Sequence, residues 1–223
     1  SLEFLSEKGV PLEANNIAAV KEANVVLVCV QPGQLQNLAN ELNGVWDNKL
    51  LVSTVTGANL GRLHELFGQD TSIVRAMPNT ALAVKESMTC ISSNANADLI
   101  LETEAIFSVL GKTIKIEDEL MQAATVLGAS GIAFWLRLIR ATTQGGIELG
   151  FDAPEAQSIA VQTCLGAASL ISSGLLHPEA EIDKVTTPKG CTIAGLNEME
   201  HMGLSSAVIK GLVVSYNKIN ELK

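Results

Sequence analysis

The chain has no basic half, no paired cysteines, no histidine cluster and no apolar run of membrane-spanning length, and each absence removes a class of function. Acidic residues outnumber basic ones 13 to 8 before residue 118 and 11 to 7 from there on, so neither half offers the positive face that a nucleic-acid backbone requires. Cys29, Cys90, Cys164 and Cys191 form no C-x-x-C pair and have no metal-ligand spacing. That is the usage of a reduced, cytoplasmic protein, and no metal site is expected. His64, His177 and His201 stand on a helix face, before a proline in a loop, and near a helix C-terminus; no Ser-His-Asp set can be built from them. Polar residues interrupt the apolar runs well before the ~20 residues of a bilayer span, so no membrane partner is expected.

What is present is a core-forming chain of 223 residues, 47% hydrophobic, long enough for one or two domains. Up to Glu117 short β-like runs (Val25–Val30, Leu50–Val55, Thr71–Val74, Met88–Ile91, Thr113–Ile116) alternate with helical ones (Ile17–Glu22, Leu35–Leu42, Leu60–Phe67, Leu99–Leu110), after an opening helix and a short strand at Val10–Glu13. Such alternation predicts a largely parallel sheet covered on both faces. From residue 118 strand signals vanish, and 119–149, 153–173, 178–184, 192–202 and 204–220 read as helices. The predicted domains are therefore 1–117, α/β, and 118–223, all-helical. The run Ala133–Ile139 is apolar on too many faces for a lone surface helix, and a second subunit is the simplest cover for it. The acidic clusters at 117–119 and 179–183 read as solvated helix starts.

Residues 185–196 read Val-Thr-Thr-Pro-Lys-Gly-Cys-Thr-Ile-Ala-Gly-Leu: a loop of hydroxyl, Pro and Gly residues running into an apolar-periodic helix. A helix start of this kind aims unpaired backbone N–H groups at one spot, an anion site by construction. Gly190 admits close approach, and Thr192 stands where an N-cap hydroxyl belongs. An ordinary Thr-capped helix is the plainer alternative.

The segment resembles the substrate loop of the pyrroline-5-carboxylate reductases, V-S/T-S/T-P-G-G-T-T-I-A-G-L. Arg75-Ala76-Met77-Pro78-Asn79-Thr80 resembles that family's R-x-M-P-N-T-P, with Ala81 for the last Pro; Val25–Val30 with Gln31-Pro32 resembles A-V-K-P, with Gln31 for Lys. Ser53–Gly57 parallels S-x-x-A-G, Gly128–Phe134 parallels S-G-S-G-P-A-Y, and Gln144–Gly150 resembles A-G-V-x-L-G. The resemblance runs in order through nearly the whole chain. Departures fall at Lys189 (Gly in the family), Cys191, Ile132 and Phe134 (Pro and Tyr), and Leu204-Ser205 (Phe-Arg).

The resemblance implies a Rossmann-type α/β domain followed by an all-α dimerisation domain, a homodimer with rings of dimers as a further assembly, and reduction of 1-pyrroline-5-carboxylate to L-proline with NADPH or NADH. It assigns Asn16 (also read as an N-cap), Val30, Gln31, Pro32, Thr56, Gly57 and Asn79 to the cofactor. It assigns Thr187 and the backbone N–H groups of Gly190, Cys191 and Thr192 to the substrate carboxylate, with the Thr192 hydroxyl as the catalytic donor to the ring nitrogen. No G-x-G-x-x-G is present, so the Rossmann domain is expected to be N-terminally incomplete and the chain a piece of a longer protein, inactive alone. Three alternatives stand beside this. One is a reductase of another cyclic imine or small acid, and another a non-catalytic dimeric helical module. The third, a 3-hydroxyacid-type dehydrogenase, would need a Lys on the long helix, where only Arg137 and Arg140 occur.

Overall fold

The computed structural model describes residues 2–174 and 177–221 of the chain. It divides into two compact units, one reaching to Ser130 and including the segment from Ser215 onward, the other Gly131–Val214.

In the first unit, α1 (Leu2–Glu7) and α2 (Asn16–Glu22) precede β1 (Val25–Val28), α3 (Leu35–Glu41), β2 (Leu50–Ser53), α4 (Leu60–Phe67), β3 (Ser72–Met77), β4 (Ser87–Ser93), α5 (Ala97–Ser108) and β5 (Gly111–Lys115). The strands lie in chain order; β1, β2 and β3 are parallel, β4 runs antiparallel to β3, and β5 is parallel to β4. Side chains alternate across the pleat and give the sheet two apolar faces. Leu51 and Ile73 pack with Val20, Leu35, Leu63 and Phe67 on one, while Leu50, Val52, Val74 and Ala76 pack with Phe107 on the other. This is why β2 is buried along its whole length.

Three expectations are corrected here. Val10–Glu13 forms no strand; Pro11 has no N–H to give a ladder, and no described strand pairs with the segment. Asn15, not Asn16, caps α2: its side chain accepts from Ala18 N–H at 3.0 Å. Asp118 is no solvated helix start. Its carboxylate faces Arg75 Nη1 at 2.5 Å, accepts from Ser92 Oγ at 3.3 Å and takes the Leu60 N–H at 3.1 Å, and Arg75 is only 3% exposed. This pairing keeps the 3₁₀ turn Asp118–Leu120 and α6 (Met121–Ala124) on the sheet unit, where Met121 packs with Met77 and Cys90. The compact unit therefore extends to Ser130, beyond the point where strand signals end.

The second unit is helical: α7 (Gly131–Glu148), α8 (Ala153–Ser173), α9 (Pro178–Val185), α10 (Cys191–His201) and the start of α11 (Leu204–Asn220). The pattern read as one helix over 119–149 is interrupted, because Thr125–Ser130 forms a π turn between α6 and α7. Taken across that turn, Asp118–Glu148 is long and apolar enough to cross a bilayer by length and composition, which corrects the expectation that no apolar run reaches that length. α7 and α8 pack closely enough that a Cβ on Gly146 would come within 2.9 Å of Ala156 Cβ, so glycine there sets the helix separation. Away from that seam Trp135, Leu136, Leu165, Leu170, Met202 and Ile209 are each more than half exposed.

The buried Arg75 generates the first prediction. Asp118→Ala leaves a guanidinium without its counter-charge and should destabilise the chain by about 3–5 kcal/mol, read from the urea unfolding midpoint. Glu181→Ala, which breaks a surface pair with Lys184, should cost no more than about 1 kcal/mol in the same assay.

Candidate functional site

Two loops leave the carboxyl ends of neighbouring parallel strands, the place where open α/β sheets bind ligands. After β1 the chain turns through Gln31, whose N–H donates to Gln34 Oε1 at 3.1 Å, and Pro32 opens a 3₁₀ turn. After β2 it passes Thr56 and Gly57 to Asn59, whose side chain caps α4 by accepting the Arg62 N–H at 2.8 Å. Between them lies a cavity of about 590 Å³, whose lining includes Pro32, Thr56, Gly57, Asn59, Arg62 and Glu65. Arg62 donates to Gln36 Oε1 at 2.6 Å and to Glu65 Oε2 at 3.1 Å, which sets its guanidinium on the cavity wall. The volume suits a small-molecule ligand; on its wall Arg62 is charge-paired with Glu65, and the first N–H of α4 is held by Asp118.

The structure brings Pro32, Thr56 and Gly57 together at this cavity. Val30 is half-buried and packs on the core beneath it, and Gln31 is exposed at the turn. Asn16 donates from Nδ2 to Glu41 Oε2 at 3.2 Å, linking α2 to α3. Asn79 is engaged internally, capping the 3₁₀ turn Thr80–Val84 and donating to the Gly128 carbonyl. Asn59 and Arg62 were not singled out in the sequence, although an Asn just before an apolar-periodic helix is a start signal. Two of the three histidines have structural partners: His64 meets Gly68 O and Asn94, and His177, read as a loop residue, caps α9 by accepting the Glu179 N–H at 3.3 Å.

The loop at 185–196 lies in the second unit. Gly190 N–H donates to Thr187 O at 2.9 Å, closing a four-residue turn with Pro188 second and Lys189 third. Lys189 has φ +60, the left-handed region that this turn position demands and that glycine fills without strain. A Cβ on Gly190 would lie 2.5 Å from Thr187 Oγ1 and 3.0 Å from Thr187 O, so the turn is closed against a side chain there. Gly190 is the N-cap and α10 begins at Cys191, which corrects the reading of Thr192 as the cap; Thr192 is the second helical residue and is exposed. The Gly190 N–H, committed to Thr187, is also removed from the expected anion-binding set. The orphan donors of this helix start are those of Cys191, Thr192 and Ile193.

Two outcomes are expected from this geometry. Lys189→Gly relieves a left-handed non-glycine residue and should raise stability by about 1 kcal/mol, seen as a higher thermal midpoint. Burial pushes the Cys90 thiol pKa up, so less reactive thiolate forms there at a given pH. In a thiol-labelling time course Cys29 and Cys191, both exposed, should therefore react first and Cys90 last.

Comparison with known proteins supplies the remaining observations. Residues 118–222 match the family model described as pyrroline-5-carboxylate reductase dimerisation, and residues 1–57 match NADP oxidoreductase coenzyme F420-dependent. Pyrroline-5-carboxylate reductase 1 of Dictyostelium discoideum is 44% identical across 100% of this chain, which spans 43% of that protein. Pyrroline-5-carboxylate reductase 2 of the same organism is 40% identical over 95% of this chain and 77% of its own length. A solved pyrroline-5-carboxylate reductase of Coxiella burnetii superposes with a TM-score of 0.91 at 27% identity, over 100% of this chain and 84% of its own.

Proposed function

The chain belongs to the pyrroline-5-carboxylate reductase family, and from that premise we propose that it serves NADPH-dependent reduction of 1-pyrroline-5-carboxylate to L-proline in the cytoplasm. What supports the reading is that one chain carries both a cavity at the carboxyl ends of β1 and β2 and a helix N-terminus with exposed orphan donors at Cys191 and Thr192. In this division of labour residues 1–117 hold the cofactor and residues 118–223 hold the substrate and the subunit interface.

The reaction requires a hydride donor, an anchor for a carboxylate and a hydrogen-bond donor to an imine nitrogen. A reduced nicotinamide nucleotide supplies the hydride when bound, which no side chain can do. Pro32, Thr56 and Gly57 shape its cavity, with Asn59 and Arg62 on the wall. The N–H groups of Cys191, Thr192 and Ile193, backed by the α10 dipole, hold the substrate carboxylate, with the Thr187 hydroxyl beside them. The Thr192 hydroxyl donates to the ring nitrogen as that atom gains electron density. Rate then comes from fixed position and fixed dipoles, without a strong acid or base.

The apolar side chains left open on the helical unit call for a cover, and a second copy of the chain, meeting it as a homodimer, is the cover proposed. Rings of such dimers extend the same interface logic. Four unpaired cysteines suit a reducing compartment.

The test is loss of NADPH absorbance on addition of 1-pyrroline-5-carboxylate to the intact gene product. Proline formation is expected, with Thr192→Ala slower by about 10- to 100-fold, the equivalent of losing ~1.5–3 kcal/mol from one charge-assisted hydrogen bond. An intact, folded dimer without turnover would overturn the assignment.

A further inference from the structure

Most polar groups on the wall of the β1–β2 cavity are already spent on one another. Arg62 is paired with Glu65 and donates to Gln36, and Gln36 Nε2 in turn donates to Asn40 Oδ1 at 3.1 Å. The Arg62 N–H goes to Asn59 Oδ1 and the Leu60 N–H to Asp118. Arg62 and Glu65 are the charged members of the lining, and they cancel. Two neutral side chains of the same lining differ from the rest. The Thr56 hydroxyl and the Gln122 carboxamide make no hydrogen bond among the described residues.

Gln122 owes its place to two anchors within the sheet unit. Asp118 holds both the Arg75 guanidinium and the Leu60 N–H, so the turn that leads into α6 starts against the first turn of α4. Met121 is wholly buried beside Met77 and Cys90, and the buried Thr125 hydroxyl donates to Met121 O at 2.7 Å. These two residues mark the face of the segment that is pressed on the sheet. Successive helical residues are turned by about 100°, so Gln122 is directed off that face, and its side chain lines the cavity. It is half-buried there. A carboxamide partly withdrawn from water without a partner costs free energy that a complementary ligand returns.

A primary carboxamide offers an acceptor and a donor in one plane, and its full complement is a second carboxamide, which returns one bond to each. We propose that Gln122 is a specificity-determining residue for the dinucleotide: it hydrogen-bonds the carboxamide of the nicotinamide ring. The identity of that occupant rests on the reductase reading. The charge of a nicotinamide dinucleotide lies on its phosphates, and these find no unpaired cation in this lining. Its amide-bearing end is the part that an open carboxamide on a charge-balanced wall selects.

The test is calorimetric binding to the intact gene product, wild type against Gln122→Leu, with no imine present. Oxidised NADP should bind the variant about tenfold more weakly, since both bonds are lost. The acetylpyridine analogue of NADP keeps the carbonyl but has a methyl group where the amide N–H donors were. Having one bond to lose, it should weaken by no more than about threefold. Adenosine bisphosphate, the half of NADP without the nicotinamide, should bind both proteins alike, which also shows that the variant is folded. Unchanged NADP binding would overturn the proposal. So would an equal loss for NADP and the analogue, which would place the contact on the ribose, or an equal loss for adenosine bisphosphate, which would make Gln122 merely structural. A wild type that binds NADP yet leaves the imine untouched would sink the reductase reading and leave this comparison standing.

Discussion

A single carboxylate organises the α/β unit. Asp118 faces the buried guanidinium of Arg75 on β3, the Ser92 hydroxyl on β4 and the first N–H of α4. It therefore fixes two central strands, the helix whose start walls the cavity, and the turn from which the chain leaves the sheet. A buried charge pair by itself adds little net stability, since desolvation of both ions offsets their attraction. Here the remaining acceptor capacity of the carboxylate is filled by neutral donors, the condition under which such a node specifies one arrangement over its competitors. The wall of the cavity and the path into the helical half are thus two consequences of one charge.

Much of the fold is legible locally. The five strands and the intervening helices show in the period of apolar residues, because a sheet covered on both faces leaves nearly continuous apolar strands between helical repeats. What was not legible is what depends on distant partners. Asp118 sits among acidic residues and reads as solvated until Arg75, 43 positions earlier, is brought beside it. The antiparallel run of β4 and the π turn likewise leave no mark in local periodicity. Val10–Glu13 has a strand-like composition, yet a strand needs a neighbour as well as a pattern.

At the two sites the limits were finer. Pro32, Thr56 and Gly57 come together as expected, since strand ends are visible in sequence and strand ends make the cavity. The cap of α10 stands at Gly190, two residues before the Thr192 read from sequence, and the Gly190 N–H is spent closing its own turn, which leaves those of Cys191, Thr192 and Ile193 open. Helix boundaries are the least legible part of any sequence, and an anion site built from them inherits the error. Thr187, Cys191 and Thr192 lie on one turn and the helix start that follows it.

The apolar side chains standing open on the helical unit have a consequence for how the protein keeps its shape. Where one copy is the cover for another, the free energy that completes each core is a free energy of association, and it carries a concentration. Dilution then acts as a denaturant. Such a chain has no single melting temperature, only one for each concentration at which it is kept.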